Sequence, residues 1–140
     1  MSTRVFVDAN TLVSGLLFEG NESDVLELGA LGAVELVTTR YVLAEVEEVL
    51  RRAEFQLTEA EVLDLVRYAH EAIAVLPDPA ESYVRSFESR VRDKKDAPVW
   101  AGAVAAAAQF LLTGDKDLLE AVPQAIRTKA LLGKILSGEV

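Results

Sequence analysis

Two aspartates stand where short apolar runs end. Val5-Phe6-Val7 runs into Asp8, and Phe110-Leu111-Leu112-Thr113 runs through Gly114 into Asp115. Runs this short and apolar read as strands buried on both faces of a parallel sheet. The carboxyl ends of such strands are where open parallel sheets take ligands, and a carboxylate there is hard to explain as solvated surface. Gly114 is expected to let the chain turn sharply before Asp115. Two further acids, Glu45 and Asp96, lie on segments with helical patterns that should flank the same edge. Glu45 has apolar neighbours in Leu43, Val46 and Val49 and acidic ones in Glu47 and Glu48, so periodicity alone leaves its depth open. Asp96 opens Asp-Ala-Pro, a good helix start in which it can also cap the helix. Four carboxylates gathered at one sheet edge would raise one another's pKa values and destabilise the fold. Hard divalent cations relieve that cost, and Mg²⁺ or Mn²⁺ suits an all-oxygen set. One such ion, or two about 4 Å apart, can deprotonate a water and steady the leaving oxygen in phosphodiester hydrolysis.

The elements that must position these acids follow from patterning. Thr11–Phe18 reads as a short helix and Gly20-Asn21 as a turn. Ser23 is expected to cap a helix from Asp24 to about Leu31, stopped by Gly32. Val34–Val37 reads as a strand, and Thr39 as the cap of a helix over about 40–53. Thr58-Glu59-Ala60-Glu61 is a capping box opening a helix to about Ala72. Ile73–Leu76 reads as a strand closed by Pro77-Asp78-Pro79. Tyr83, Phe87 and Val91 recur at helical spacing over 80–92, and Asp93-Lys94-Lys95 breaks the pattern. A helix from near Asp96 to about Ala107 carries Pro98 in its first turn, with Ala97, Ala101, Gly102 and Ala105 small enough for close packing on the sheet. Asp115–Ala121 reads as a short helix, Ile126-Arg127 as a last strand, and Thr128 as the cap of a final helix to about Leu136. The alternation β-α-α-β-α-α-β-α-α-β-α-β-α implies α/β architecture: a mostly parallel four- to five-stranded sheet between helical layers.

Composition sets the outer limits. A length of 140 residues fits one domain over 1–140. The absence of cysteine excludes disulfides, thiolate zinc sites and a cysteine nucleophile. A net charge of −9 argues against holding nucleic acid on a broad basic surface, but leaves room for metal ions that supply positive charge locally. No segment reads as a leader or a membrane span, because the apolar stretch from Ala97 to Leu112 divides into a helix and a strand. The expectation is a cytoplasmic protein with no membrane partner.

With these residues in place, the chain resembles the PIN domain, a family of metal-dependent ribonucleases. The resemblance covers essentially the whole length. It rests on Val5-Phe6-Val7-Asp8-Ala9-Asn10-Thr11-Leu12-Val13-Ser14, Tyr41-Val42-Leu43-Ala44-Glu45-Val46, Asp96-Ala97-Pro98-Val99 and Leu112-Thr113-Gly114-Asp115-Lys116-Asp117-Leu118-Leu119. The four in that order are a specific signal, and any one alone is weak. The resemblance implies that Asp8, Glu45, Asp96 and Asp115 are the catalytic, metal-binding acids. It adds Asp117 as a frequent fifth, Asn10 as a polar residue beside the first aspartate, and Thr113 as a hydroxyl before the fourth. It further implies Mg²⁺ or Mn²⁺, an RNA substrate, frequent homodimers, and an antitoxin protein as partner, since the most similar subgroup holds toxin components of toxin–antitoxin pairs. Two departures stand out: Ala9 where the family often has threonine, and the charged segment 81–95.

Two other function classes fit parts of the sequence. One is a non-catalytic PIN-fold module that binds RNA or an antitoxin. The other is an aspartyl phosphotransferase of the haloacid-dehalogenase kind, which wants a second acid where this chain has Asn10. His70 reads as a surface or partly packed residue. Trp100, Tyr83 and Phe87 read as core or dimer contacts, and Leu50–Ile73 as a helical hairpin able to form a dimer face. Arg85, Arg90, Arg92, Lys94 and Lys95 read either as a solvated face or as a phosphate-steering patch beside Asp96.

Overall fold

Val5, Phe6 and Val7 need cover on both faces, and the fold gives it to them by placing their strand in the middle of the sheet. A computed structural model describes residues 3–140; Met1 and Ser2, read above as a short lead into the first strand, lie outside the described residues. The strands are β1 (Arg4–Val7), β2 (Glu35–Thr39), β3 (Ile73–Leu76), β4 (Phe110–Leu112) and β5 (Ala125–Ile126). They form one five-stranded sheet in the order β3-β2-β1-β4-β5, every pair parallel. Val5, Phe6, Val7, Leu111 and Leu112 are fully buried, as strands covered on both faces must be.

The helices are α1 (Ala9–Leu17), α2 (Asn21–Ala30), α3 (Arg40–Leu50), α4 (Glu59–Ala72), α5 (Glu81–Arg85), α6 (Ala97–Ala105), α7 (Lys116–Ala121) and α8 (Thr128–Leu136). They cover both sides of the sheet, and one hydrophobic core runs through the layers. From β1 the chain moves outward through β2 to β3, then crosses back to β4 beside β1. The order therefore reverses between β1 and β4, the position where open parallel sheets form a crevice at the strands' carboxyl ends. Val7 is level with Leu112 in that pair, so Asp8 and Thr113 leave the sheet side by side. Gly102 brings α6 close: a Cβ there would lie 3.0 Å from Phe6 of β1 and from Thr39 of β2. No helix among the described residues is long and apolar enough to cross a membrane.

The expected order of elements is the observed one, with local differences. Helix α2 begins at Asn21, so Ser23 sits inside its first turn rather than ahead of it. The Ser23 hydroxyl reaches back to the Gly20 N–H at 2.9 Å, and Gly20 holds the cap position. Gly32 follows the helix with φ +80°, the left-handed conformation that suits glycine at a helix end. Thr128 is likewise the first residue of α8, because Arg127 is extended and takes the cap position. Gly114 keeps a backbone open to any residue, and a Cβ there would meet nothing within 4 Å, so the turn before Asp115 does not need glycine. The helix expected over 80–92 stops at Arg85. The Ser86 hydroxyl donates to the Tyr83 carbonyl at 2.5 Å, a local bond that competes with helix continuation. Short 3-10 turns at Glu88–Arg90 and Lys94–Asp96 carry the chain on to α6.

Candidate metal centre

Asp8 follows β1 and caps α1. Its extended backbone turns the carboxylate onto the helix start, where Oδ1 accepts from the Thr11 N–H at 2.9 Å. Oδ2 accepts a close hydrogen bond from the Thr113 hydroxyl. Only 6% of Asp8 is exposed. Burial raises its pKa above the ordinary carboxylate range, against the lowering effect of the hydrogen bonds from Thr113 and Thr11, and the charge of Asp115 adds to the rise. The same Thr113 oxygen accepts from the Asp115 N–H at 3.0 Å. One buried hydroxyl thus ties the end of β1 to the turn after β4.

Asp115 caps α7, its Oδ1 accepting from the Leu118 N–H at 3.1 Å. Asp117 lies in the first turn of α7, where a carboxylate also favours the helix dipole. Asp96 occupies the cap position of α6 but has helical backbone angles, and its side chain makes no capping bond. Asp93 caps the short 3-10 turn ahead of α6, accepting from the Lys95 N–H at 3.0 Å, and α6 itself has no side-chain cap. The Asp96 carboxylate is therefore left free of the backbone.

The structure brings Asp96, Asp115 and Asp117 together, each offering an oxygen within 4.8 Å of the others. Asp96 shows the electrostatic consequence. Its pKa is pushed up to about 6, first by partial burial and then by the charges of Asp115, Asp93, Asp117 and Asp8. Asp8 thus adjoins this group electrostatically, though its own oxygens are not within the same span. Three carboxylate oxygens that close, beside a fourth buried acid, form an all-oxygen set of a kind that fits Mg²⁺ or Mn²⁺ and does not suit a softer ion.

Glu45 is not within that group. It lies on α3 beside the Tyr41 hydroxyl and lines a hollow with Tyr41, Arg52 and Lys95. Tyr41 links the two places. Its hydroxyl is pushed up to about 12 by burial, by Glu45, and then by Asp93 and Asp96. Sequence reasoning gave Tyr41 no role, although it stands four residues before Glu45, the spacing that puts two side chains on one helix face. Asn10 is exposed and lines a separate hollow with Thr113 and Gly114.

Of the basic residues near Asp96, Arg92 meets the acidic group itself, and Arg85 and Arg90 are engaged away from it. Arg92 pairs with Asp117 at 3.7 Å and Glu120 at 3.9 Å, and Arg85 with Glu81 at 3.9 Å. Arg90 lies over the rings of Phe87 and Trp100, 5.1 and 5.8 Å from their centres. Phe87 in turn meets Tyr83 and Trp100 edge-on. His70 is exposed on α4.

A family model described as PIN domain matches residues 4–117. Among solved structures, the chain is similar to PAE2754 from Pyrobaculum aerophilum, with TM-score 0.74, 20% identity and 98% of each chain covered. It is also similar to VapBC2 from Rickettsia felis, solved bound to a DNA fragment from the promoter (TM-score 0.65, 15% identity, 89% of this chain and 97% of that chain). A third is VapC20 of Mycobacterium tuberculosis, described as a sarcin-ricin loop cleaving toxin (TM-score 0.57, 18% identity, 84% of this chain and 95% of that chain). At these identities the likeness is one of fold. No curated protein matches the sequence.

Proposed function

We propose a function from one premise: the chain belongs to the PIN domain family. It acts as a Mg²⁺- or Mn²⁺-dependent endoribonuclease, hydrolysing RNA phosphodiester bonds as the toxin of a toxin–antitoxin pair in the cytoplasm. The observation that carries this reading is the group Asp96, Asp115 and Asp117, within 4.8 Å at the sheet's switch point beside buried Asp8. The toxin assignment draws support from the fold shared with VapC20 and VapBC2. Homodimerisation belongs to the same reading, through the α3–α4 hairpin, where Leu63 is exposed.

A bound Mg²⁺ or Mn²⁺ supplies a water of lowered pKa and positive charge against the phosphate. The chain's residues do the rest. Asp96, Asp115 and Asp117 would hold the ion, and the Asp96 carboxylate is available for it because no backbone N–H claims its oxygens. Asp8 completes the negative field, held in one orientation by Thr11 and Thr113. Glu45 would act at one remove, through the Tyr41 hydroxyl, and help to orient water or the RNA strand beside the acidic group. No side chain attacks the phosphate. The test is incubation of end-labelled single-stranded RNAs with purified protein. Fragments that need Mn²⁺ or Mg²⁺ and disappear with chelator are expected. Intact RNA across varied sequences in Mn²⁺ would point instead to a module that binds RNA or an antitoxin without cutting.

A further inference from the structure

Beyond the acidic group, the carboxyl edge holds a second hollow, of about 290 Å³, whose wall includes Thr113, Gly114, Arg127, Thr128, Lys129 and Glu22. It shares Thr113, and so the Asp8 hydrogen bond, with the acidic site. Its far wall is the start of α8. That nine-residue helix has no side-chain cap and no acid in its first turn, so its leading N–H groups and dipole are left for an anion. Thr128 is only 9% exposed, lines the hollow, and has no hydrogen bond to its hydroxyl among the described residues. Arg127 and Lys129 flank it, both exposed, and neither forms an ion pair among the described residues, in contrast to Arg85 and Arg92. Two cations without ion pairs, the hydroxyl of a nine-tenths-buried threonine that opens into the hollow instead of onto a protein partner, and an uncapped helix start thus meet in one cavity of a chain with net charge −9.

We propose that this hollow binds a backbone phosphate of single-stranded RNA next to the scissile one, an inference that rests on the reading of the chain as a ribonuclease. Thr128 and the first N–H groups of α8 donate to the phosphate oxygens, and Arg127 and Lys129 balance its charge. Glu22, a carboxylate in the lining, repels a second phosphate and limits the hollow to one. Gly114 leaves the passage to the acidic site open, since no side chain projects there.

The experiment measures binding of a fluorescein-labelled oligouridylate by anisotropy, with chelator present so that no strand is cut, and Mn²⁺-dependent cleavage of the same strand separately. Arg127→Ala/Lys129→Ala is expected to weaken binding about fivefold or more and to lower the slope of log K against log salt by about 0.7. Thr128→Val weakens binding about two- to fivefold with the slope unchanged, and Arg127→Lys/Lys129→Arg keeps the slope. Arg67→Ala, on α4, changes neither. Circular dichroism checks that each variant is folded. An oligouridylate affinity and slope equal to wild type in Arg127→Ala/Lys129→Ala would overturn the proposal. So would loss of oligoglutamate binding alone in that variant, which would mark an acidic-peptide site. If binding depends on these residues but wild type cuts nothing, the subsite stands and the ribonuclease reading falls. If wild type cuts RNA and binding ignores them, the reverse holds.

Discussion

Asp8 and Asp115, at the ends of β1 and β4, each cap the helix that follows, one oxygen accepting from Thr11 N–H at 2.9 Å and from Leu118 N–H at 3.1 Å. Asp96 and Glu45 ride on helices. Asp96 stands at the head of α6 with no capping bond, and Glu45 lies within α3 beside Tyr41. The strand-end acids have their orientation fixed by the backbone whether or not a ligand is present. The helix-borne acids depend on what comes between them. A rigid half and an adjustable half suit a site that must hold a metal and still admit a strand, because only the adjustable half has to move. Substitutions in the two halves should therefore differ in both size and kind.

The largest effect is expected from Asp8→Asn, which keeps the shape and most hydrogen bonds but removes a charge at the rigid centre. Cleavage should fall on the order of a hundredfold or more, the equivalent of about 3 kcal/mol. Stability without metal should not drop, since this carboxyl is already disfavoured as an anion by burial. Steady-state rates and thermal melts of the same samples check both halves of that statement. Next is Thr113→Val. It strips Asp8 Oδ2 and the Asp115 N–H of their shared partner, and should weaken Mn²⁺ affinity about ten- to a hundredfold. An unchanged affinity would mean that the hydroxyl bridge does not hold the rigid half in place.

Glu45→Gln should cost less than about fivefold in rate, because Glu45 lies outside the group of close oxygens. A loss as large as that of Asp8→Asn would mean that Glu45 acts as directly as the strand-end acids do. The smallest effect is on stability against pH. Asp8 and Asp96 hold protons more tightly in the folded chain than unfolded. Their contribution favours the fold fully below the ordinary carboxylate range, near pH 4, and is lost as pH rises through the raised folded-state values, which for Asp96 is about 6. Metal-free protein should therefore melt lower at about pH 7 than at about pH 5 by this term. The difference is roughly 1 kcal/mol or ~3 °C once solvent screening of half-exposed Asp96 is allowed for. Excess Mn²⁺ should remove it. A metal-free melt that rises across this range would contradict the assigned shifts.

What the sequence made legible is what short-range patterning encodes. The apolar runs ending in Asp8 and Asp115 mark the two central strands, and Thr58 with Glu61 forms the box that opens α4, with bonds of 2.8 and 3.1 Å. The helix expected over 80–92 ends at Arg85 because Ser86 bonds locally to Tyr83, while the spacing of Tyr83 and Phe87 reflects an edge-on contact that Phe87 carries on to Trp100. The Thr113–Asp8 bond joins residues 105 apart in the chain, and no local pattern signals it. The difference between Glu45 and Asp96 was hidden for the same reason, since it depends on how α3 and α6 dock rather than on either helix alone. Arg127 and Lys129 went unremarked because two cations at a helix start look like ordinary surface until the cavity beside them is seen.

Whether the Asp96 and Asp115 carboxylates hold a metal is settled by titrating Mn²⁺ into wild-type protein and into Asp96→Asn/Asp115→Asn, following free Mn²⁺ by its paramagnetic resonance signal. Wild type is expected to bind saturably and the variant at least about a hundredfold more weakly, with the metal-free melting temperature of the variant equal or higher. Equal Mn²⁺ affinity in the two proteins would contradict a metal site at these residues.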